Sequence, residues 1–170
     1  MLIKKELEDL MNAQIGNEMG ASLQYINIAT YFETEDLPTL AAFFYRQADE
    51  ERMHAMKFVH YIAEAGGHVS IPSVNGPKTS FASAEEAVKL SLDWELEVTN
   101  QINNLMNVAI ELKDHIGQDF LRWFVTEQLE EVSTMSTLLR TVQRAGSNLL
   151  WVEDFLTRNS LPAAEGEAAA

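Results

Sequence analysis

Glu51 and His54 stand three residues apart on what should be the buried face of a helix. Leu40, Phe44, Phe58 and Ile62 recur around them at helical spacing, and the apolar stripe they form passes through Glu51 and beside His54. A carboxylate in a protein core costs several kcal/mol unless something pairs with it. Whatever fold this chain takes must therefore bring partners to that pair, and a metal ion suits a Glu and a His placed in this way.

The same anomaly recurs on three further stripes. Leu7, Met11, Ala21, Ile28 and Phe32 enclose Gln14, Glu18 and Tyr25. Val88, Leu92, Val98, Ile102, Leu105, Ala109 and Leu112 enclose Glu95. Leu121, Phe124, Met135, Leu138, Val142 and Ala145 enclose Gln128 and Glu131. The spacing repeats: 33 residues separate Glu18 from Glu51 and Glu95 from Gln128, and an offset of 77 carries 18, 51 and 54 onto 95, 128 and 131. Each half is thus a helical hairpin with one carboxylate on its first helix and a polar pair, three residues apart, on its second. A single Glu on a helix is usually solvated, and a single core His is more often hydrogen-bonded than metal-bound. Four carboxylates, an imidazole and an amide on four core stripes at matched offsets are not a chance arrangement. Oxygen-rich ligands with one imidazole select iron or manganese over copper or zinc.

Connection lengths set the topology. The first helix spans about Lys4 to Glu33, and the turn Thr34-Glu35-Asp36 offers Asp36 as N-cap of a second helix that opens with Pro38. The second helix runs to about Ala65, where Gly66-Gly67 stops it. So short a turn makes the two helices antiparallel. Residues 68–82 have no helical period and contain Pro72, Gly76 and Pro77. A helix of about 28 residues is about 42 Å long, and an extended 15-residue segment reaches about 50 Å. The connection can therefore cross the whole bundle and set the third helix parallel to the second. Ser83-Ala84-Glu85-Glu86 is a capping box opening that third helix. A break at 113–117 precedes the fourth helix, which Gly146 ends. Residues 148–159 suggest a short fifth helix whose Leu149, Leu150, Trp151, Phe155 and Leu156 look exposed and suited to contact between subunits. Residues 1–160 form one expected domain, and the Ala-rich 161–170 is expected to be a disordered tail.

Composition narrows the function. There is no cysteine, which excludes disulfides, thiolate metal sites, iron–sulfur clusters and thiol catalysis. A formal charge of -14 disfavours nucleic acid and anionic membranes and suits cations. The first ten residues carry no signal-peptide core and no long apolar run follows, so a cytoplasmic protein with no membrane partner is expected.

Asn17-Glu18-Met19 with Tyr25, Glu50-Glu51-Arg52-Met53-His54 and Thr126-Glu127-Gln128-Leu129-Glu130-Glu131 resemble the motifs of bacterial non-haem ferritins. The resemblance covers about residues 5–158, and Tyr31 to Met56 and Trp123 to Leu139 are closest in wording to the actinobacterial-type ferritins. It implies an all-α, ferritin-like four-helix bundle with one long crossover between the second and third helices and a short fifth helix. It implies iron storage and detoxification: a ferroxidase oxidising Fe(II) with O2 or H2O2 at a di-iron centre, and a homo-oligomeric cage of 24 subunits holding ferric mineral. Glu18, Glu51 and His54 would hold one iron. Glu51, bridging, with Glu95 and Glu131 would hold the second, with Gln128 beside it. Glu50, Glu127 and Glu130, with Glu131 shared, would form a third site. Tyr25 would hydrogen-bond the first site and supply an electron. The fifth helix would line the fourfold axis, and Asp114 and Asp119 would line access pores or remain solvated loop charges.

Two departures separate this chain from the haem-containing bacterioferritins. Gln128-x-x-Glu131 stands where they carry a second Glu-x-x-His, and Arg52 stands where they carry the haem-ligating Met; Met53 is one residue off, about 100° round the helix. Haem is therefore not expected. Two other classes stay open: a di-iron or manganese oxidase of an organic substrate, and a helical interaction protein without a metal.

Overall fold

The computed structural model describes residues 2–159 and 161 of the chain. Among them are five helices and no strand: α1 (Lys5–Thr34), α2 (Pro38–Glu64), α3 (Ala84–Glu111), α4 (His115–Ala145) and α5 (Leu150–Arg158). The expected all-α bundle with its long crossover and short fifth helix is the fold observed.

Helix ends follow backbone hydrogen bonding rather than composition. Asp36 is not the N-cap of α2. It has φ +57°, and the Asp36 and Leu37 amides donate back to Glu33 and Phe32 at 3.1 and 2.9 Å, so it closes α1 in a Schellman turn. Gly66 (φ +75°) closes α2 in the same way, with Gly67 N–H on Ile62 O at 2.8 Å. The cap of α2 comes from 114 residues downstream: the Glu153 carboxylate accepts from the Thr39 and Leu40 amides, both at 2.8 Å. Ser83 caps α3 as expected, accepting from Glu86 N at 3.1 Å, while Glu86 reaches back to Ala82 N at 2.6 Å.

The crossover travels along α1 from its start to its end. Glu8 and Asn12 hold it at His68 and Ser70, and Gln24 holds it at Lys78. Asn12 and Gln24 each pair with loop backbone as both donor and acceptor, at 2.7–3.0 Å. Midway the loop lies so close to α1 that a Cβ on Gly16 would come within 2.5 Å of Pro72 Cγ. The chain thus reaches the far end of the bundle before α3 begins, and α3 runs antiparallel to α1 and parallel to α2.

The apolar core is in two parts. One gathers Ile28, Phe32, Leu40, Phe44, Val88, Leu138 and Val142. The other gathers Leu7, Met11, Phe58, Ile62, Ile102, Leu105, Leu121 and Phe124. α5 belongs to the first: Val152 and Leu156 are buried there, and Leu149 and Phe155 pack against it. Of the apolar residues expected to be exposed here, only Leu150 and Trp151 are, at 70% and 45%. Leu161 also packs on this core, whereas residues 162–170 of the expected tail lie outside the described residues.

Glu153 joins α5 to the first turn of α2 through two charge-assisted bonds, so Glu153→Ala should lower stability by about 1–2 kcal/mol. A lowered thermal unfolding midpoint with unchanged helical circular dichroism at 20 °C is the expected result.

Candidate metal centre

Between the two apolar cores lies a layer of charge. α1 supplies Glu18, α2 supplies Glu51 and His54, α3 supplies Glu95, and α4 supplies Glu127, Gln128 and Glu131, and all of these are buried. Each stands on an inward stripe because its helix continues the 3.6-residue period through it. Three sets of ligand atoms lie within 4.8 Å of one another: Glu18, Glu51 and His54; Glu51, Glu95 and Glu131; and His54, Glu127 and Glu131. Glu51 is common to the first two sets, Glu131 to the last two.

Hydrogen bonds fix one side of most of these groups and leave the other side free. Gln14 Nε2 donates to Glu18 Oε1 at 2.9 Å. Tyr25 donates its hydroxyl to Glu95 Oε1, and Gln128 Nε2 donates to Glu95 Oε2 at 3.2 Å and to its backbone oxygen at 3.1 Å. His54 Nδ1 lies 3.4 Å from Glu51 Oε2, and Nε2 lies 3.7 Å from Glu127 Oε1. Glu18 Oε2, Glu51 Oε1, His54 Nε2, Glu127 Oε1 and Glu131 Oε2 have no hydrogen-bond partner among the described residues. Buried polar atoms are seldom left in this state. Aimed at common points, these atoms fit divalent cations, and the mainly carboxylate donor set fits iron or manganese.

Three residues, Tyr25, Glu130 and Glu50, are placed differently from expectation. Tyr25 contacts Glu95, in the second set, not the first. Glu130 is half-buried and belongs to none of the three sets, and Glu50 is buried next to them, bonded by Gln47. Asp114 is buried and caps α4, with Oδ1 on Gly117 N at 2.9 Å, while Asp119 is exposed. Sequence reading passed over two parts of the surroundings. Gln14 was visible as an amide on a core stripe. The aromatic wall was not: Phe124 and Trp123 meet the His54 ring edge-on at 6.0 and 5.4 Å, and Phe58 stacks on Phe124 at 4.3 Å.

Burial makes Glu51, Glu95 and Glu131 hold protons more tightly than a free carboxyl. The Glu95 carboxyl is pushed up to about 7 by burial, against the pull of its bonds from Tyr25 and Gln128. Glu51 and Glu131 are raised well above the usual carboxylate range by burial and then by the charge of Glu95. For His54, burial acts to lower the pKa, but Glu51 and Glu127 outweigh it and the imidazole is raised. Burial also lifts Glu50 to about 7. A cation entering the layer would have to displace those protons.

A profile described as a ferritin-like domain matches residues 8–145. "Ferritin BfrB" of Mycobacterium tuberculosis is 45% identical over 165 residues, covering 96% of this chain and 91% of that protein. "Bacterial non-heme ferritin" of Staphylococcus aureus is 37% identical over 153 residues, covering 89% and 92%. Among solved structures, an open pore ferritin from Archaeoglobus fulgidus superposes with a TM-score of 0.89 at 28% identity, covering 93% of this chain and 98% of that one.

A carboxyl whose folded pKa lies above its unfolded value stabilises fully below the unfolded value and loses that contribution as pH rises through the folded one. For Glu95 the range is from 4.5 to about 7, worth up to about 3 kcal/mol. The thermal midpoint of the metal-free protein should therefore fall between pH 5.5 and 8, and Mn(II) at pH 8 should restore it. A flat pH profile in differential scanning calorimetry would contradict the buried-proton account.

Proposed function

The chain belongs to the ferritin family, and from that premise we propose that it is a cytoplasmic ferroxidase that stores the ferric product inside a cage of 24 subunits. The observation that carries this reading is the pair of ligand sets sharing Glu51, with unpartnered oxygens facing common points inside a sealed bundle. Such a pair of sets suits two cations side by side.

Fe(II) is the substrate. One ion takes Glu18, Glu51 and His54, and the other takes Glu51, Glu95 and Glu131. Each gives up one electron. With O2 as acceptor, two electrons and two protons yield H2O2; with H2O2 as acceptor, two electrons and two protons yield two waters. Carboxylates favour the ferric state and so drive the oxidation. The chain's own residues set the conditions. Glu51 joins the two positions. Tyr25 and Gln128 fix both oxygens of Glu95 in place. The aromatic wall below His54 and the apolar core above Tyr25 keep bulk water out, which strengthens each charge interaction in the layer. With His54 taken by the first ion, Glu127 and Glu131, with Glu50 adjacent, would form the third position, and Glu130 would have to turn inward to join it. The exposed Arg52 leaves no haem ligand at its position.

Anaerobic Fe(II) titration with size-exclusion mass on the same sample tests the whole reading. Two to three irons per subunit on a particle of about half a megadalton, with uptake of many more on admitting air, is the expected result. Two irons on a small oligomer with no further uptake would move the function to oxidation of an organic substrate, and no stoichiometric binding would favour an interaction protein. Within the site, Glu51→Ala should slow Fe(II) oxidation by more than about 100-fold, beyond the cost of a typical outer-shell change. Glu130→Ala should slow it far less, and equal stopped-flow rates would remove the bridging role of Glu51.

A further inference from the structure

Gln14 has no role in the chemistry above, yet it is only 2% exposed and sits one turn before Glu18 on the core stripe of α1. Its Nε2 donates to Glu18 Oε1 at 2.9 Å, and its Oε1 accepts from Asn17 Nδ2 at 3.3 Å. Asn17 Nδ2 also donates to Gln101 Oε1 on α3 at 3.0 Å, and Gln101 Nε2 donates to Glu97 Oε1 at 3.3 Å. A run of amides thus crosses the seam between α1 and α3 and ends on one oxygen of Glu18. The other oxygen, Oε2, has no partner among the described residues.

The second half of the chain holds its equivalent carboxylate by other means. Ser91 stands 77 residues after Gln14, and its hydroxyl turns back to Ala87 O of its own helix at 3.1 Å. Glu95 is instead gripped on both oxygens, by Tyr25 and Gln128. Of the paired carboxylates Glu18 and Glu95, it is Glu18 whose one oxygen is engaged by an amide while the other stays without a partner among the described residues.

We propose that Gln14 is a positioning residue that presents Glu18 to the first cation through a single oxygen, with Asn17 and Gln101 fixing the orientation of its amide. The proposal rests on the di-iron reading of the site. A neutral amide donor occupies Oε1 without adding charge to the layer, so a cation meets less competition at Oε2 than at Oε1. One-oxygen ligation suits small ions of regular coordination such as Fe(II), Mn(II) and Co(II). Two-oxygen ligation is common for larger Ca²⁺, which takes 6–8 oxygens. Freeing Oε1 should therefore weaken binding of the small ions and narrow their advantage over Ca²⁺.

The test is Gln14→Leu, which removes the donor at nearly constant volume and keeps closed the floor of the groove of about 260 Å³ that Gln14 lines between α1 and α3. Metal-free cage is titrated anaerobically with Co(II), alone and against Ca²⁺, and followed by calorimetry and the visible Co(II) spectrum. Wild type should bind two Co(II) per subunit in the centre. Gln14→Leu should keep its assembled mass, bind one of the two about 10–100-fold more weakly, show altered visible bands and discriminate less against Ca²⁺. Asn17→Ala should shift the bands in the same direction by less, and it carries the test by itself should the Leu variant fail to assemble. Variants that titrate and absorb as wild type would overturn the role of Gln14 while leaving the centre intact. Wild type that binds no Co(II) at this stoichiometry would overturn the centre itself.

Discussion

Negative charge buried at mid-height of the bundle is the constraint from which the rest of the structure follows. Glu18, Glu51, Glu95, Glu127 and Glu131 lie between two apolar cores, with one imidazole among them. Among the described residues no Lys or Arg is buried with them. Burial raises the pKa of Glu51, Glu95 and Glu131, so the metal-free protein keeps protons there, and a cation-loaded protein would exchange those protons for metal. Stability, proton release and metal binding are therefore three views of one equilibrium. The cores above and below do more than support the layer, because by excluding water they make the exchange energetically large.

Four helices can meet in such a layer only if the long connection holds its course. Its residues have little regular structure and few apolar side chains. Two buried amides on α1, Asn12 and Gln24, stand in for a strand partner by pairing with loop backbone in both directions. Gly16 lets Pro72 come down onto the helix between them. Loop and helix are thus matched at three heights, and α3 starts at the level that puts Glu95 opposite Glu18 and Glu51. The register of the metal layer is in this sense set outside it.

The two halves share an offset of 77 residues but not their chemistry. His54 corresponds to Glu131, Glu51 to Gln128 and Gln14 to Ser91. A repeated hairpin gives four-helix geometry with two similar faces, and substitution at matched positions then makes the two faces unlike. The carboxylate common to two ligand sets, Glu51, comes from one half, and the amide that steadies Glu95, Gln128, from the other. Two cations held there would lie in different surroundings despite the near symmetry of the backbone.

The sequence by itself determined the helices, their order, the long crossover and the identity of the side chains turned inward. Apolar periodicity is a local signal, and a charged residue on an apolar stripe remains visible however the chain folds. Tertiary structure alone decided which inward groups touch. Asp36 ends α1 because its own amide turns back to the Glu33 carbonyl and the Leu37 amide to that of Phe32, and α2 takes its cap from Glu153 across the bundle. Tyr25 meets Glu95 and not Glu18, and Glu130 stays outside the three ligand sets although it adjoins Glu131. The reason is geometric. Spacing along one helix fixes an angle about that helix's own axis, whereas contact between helices depends on their relative height, rotation and tilt. These are set by packing of the two cores and by loop anchors far from the site in sequence.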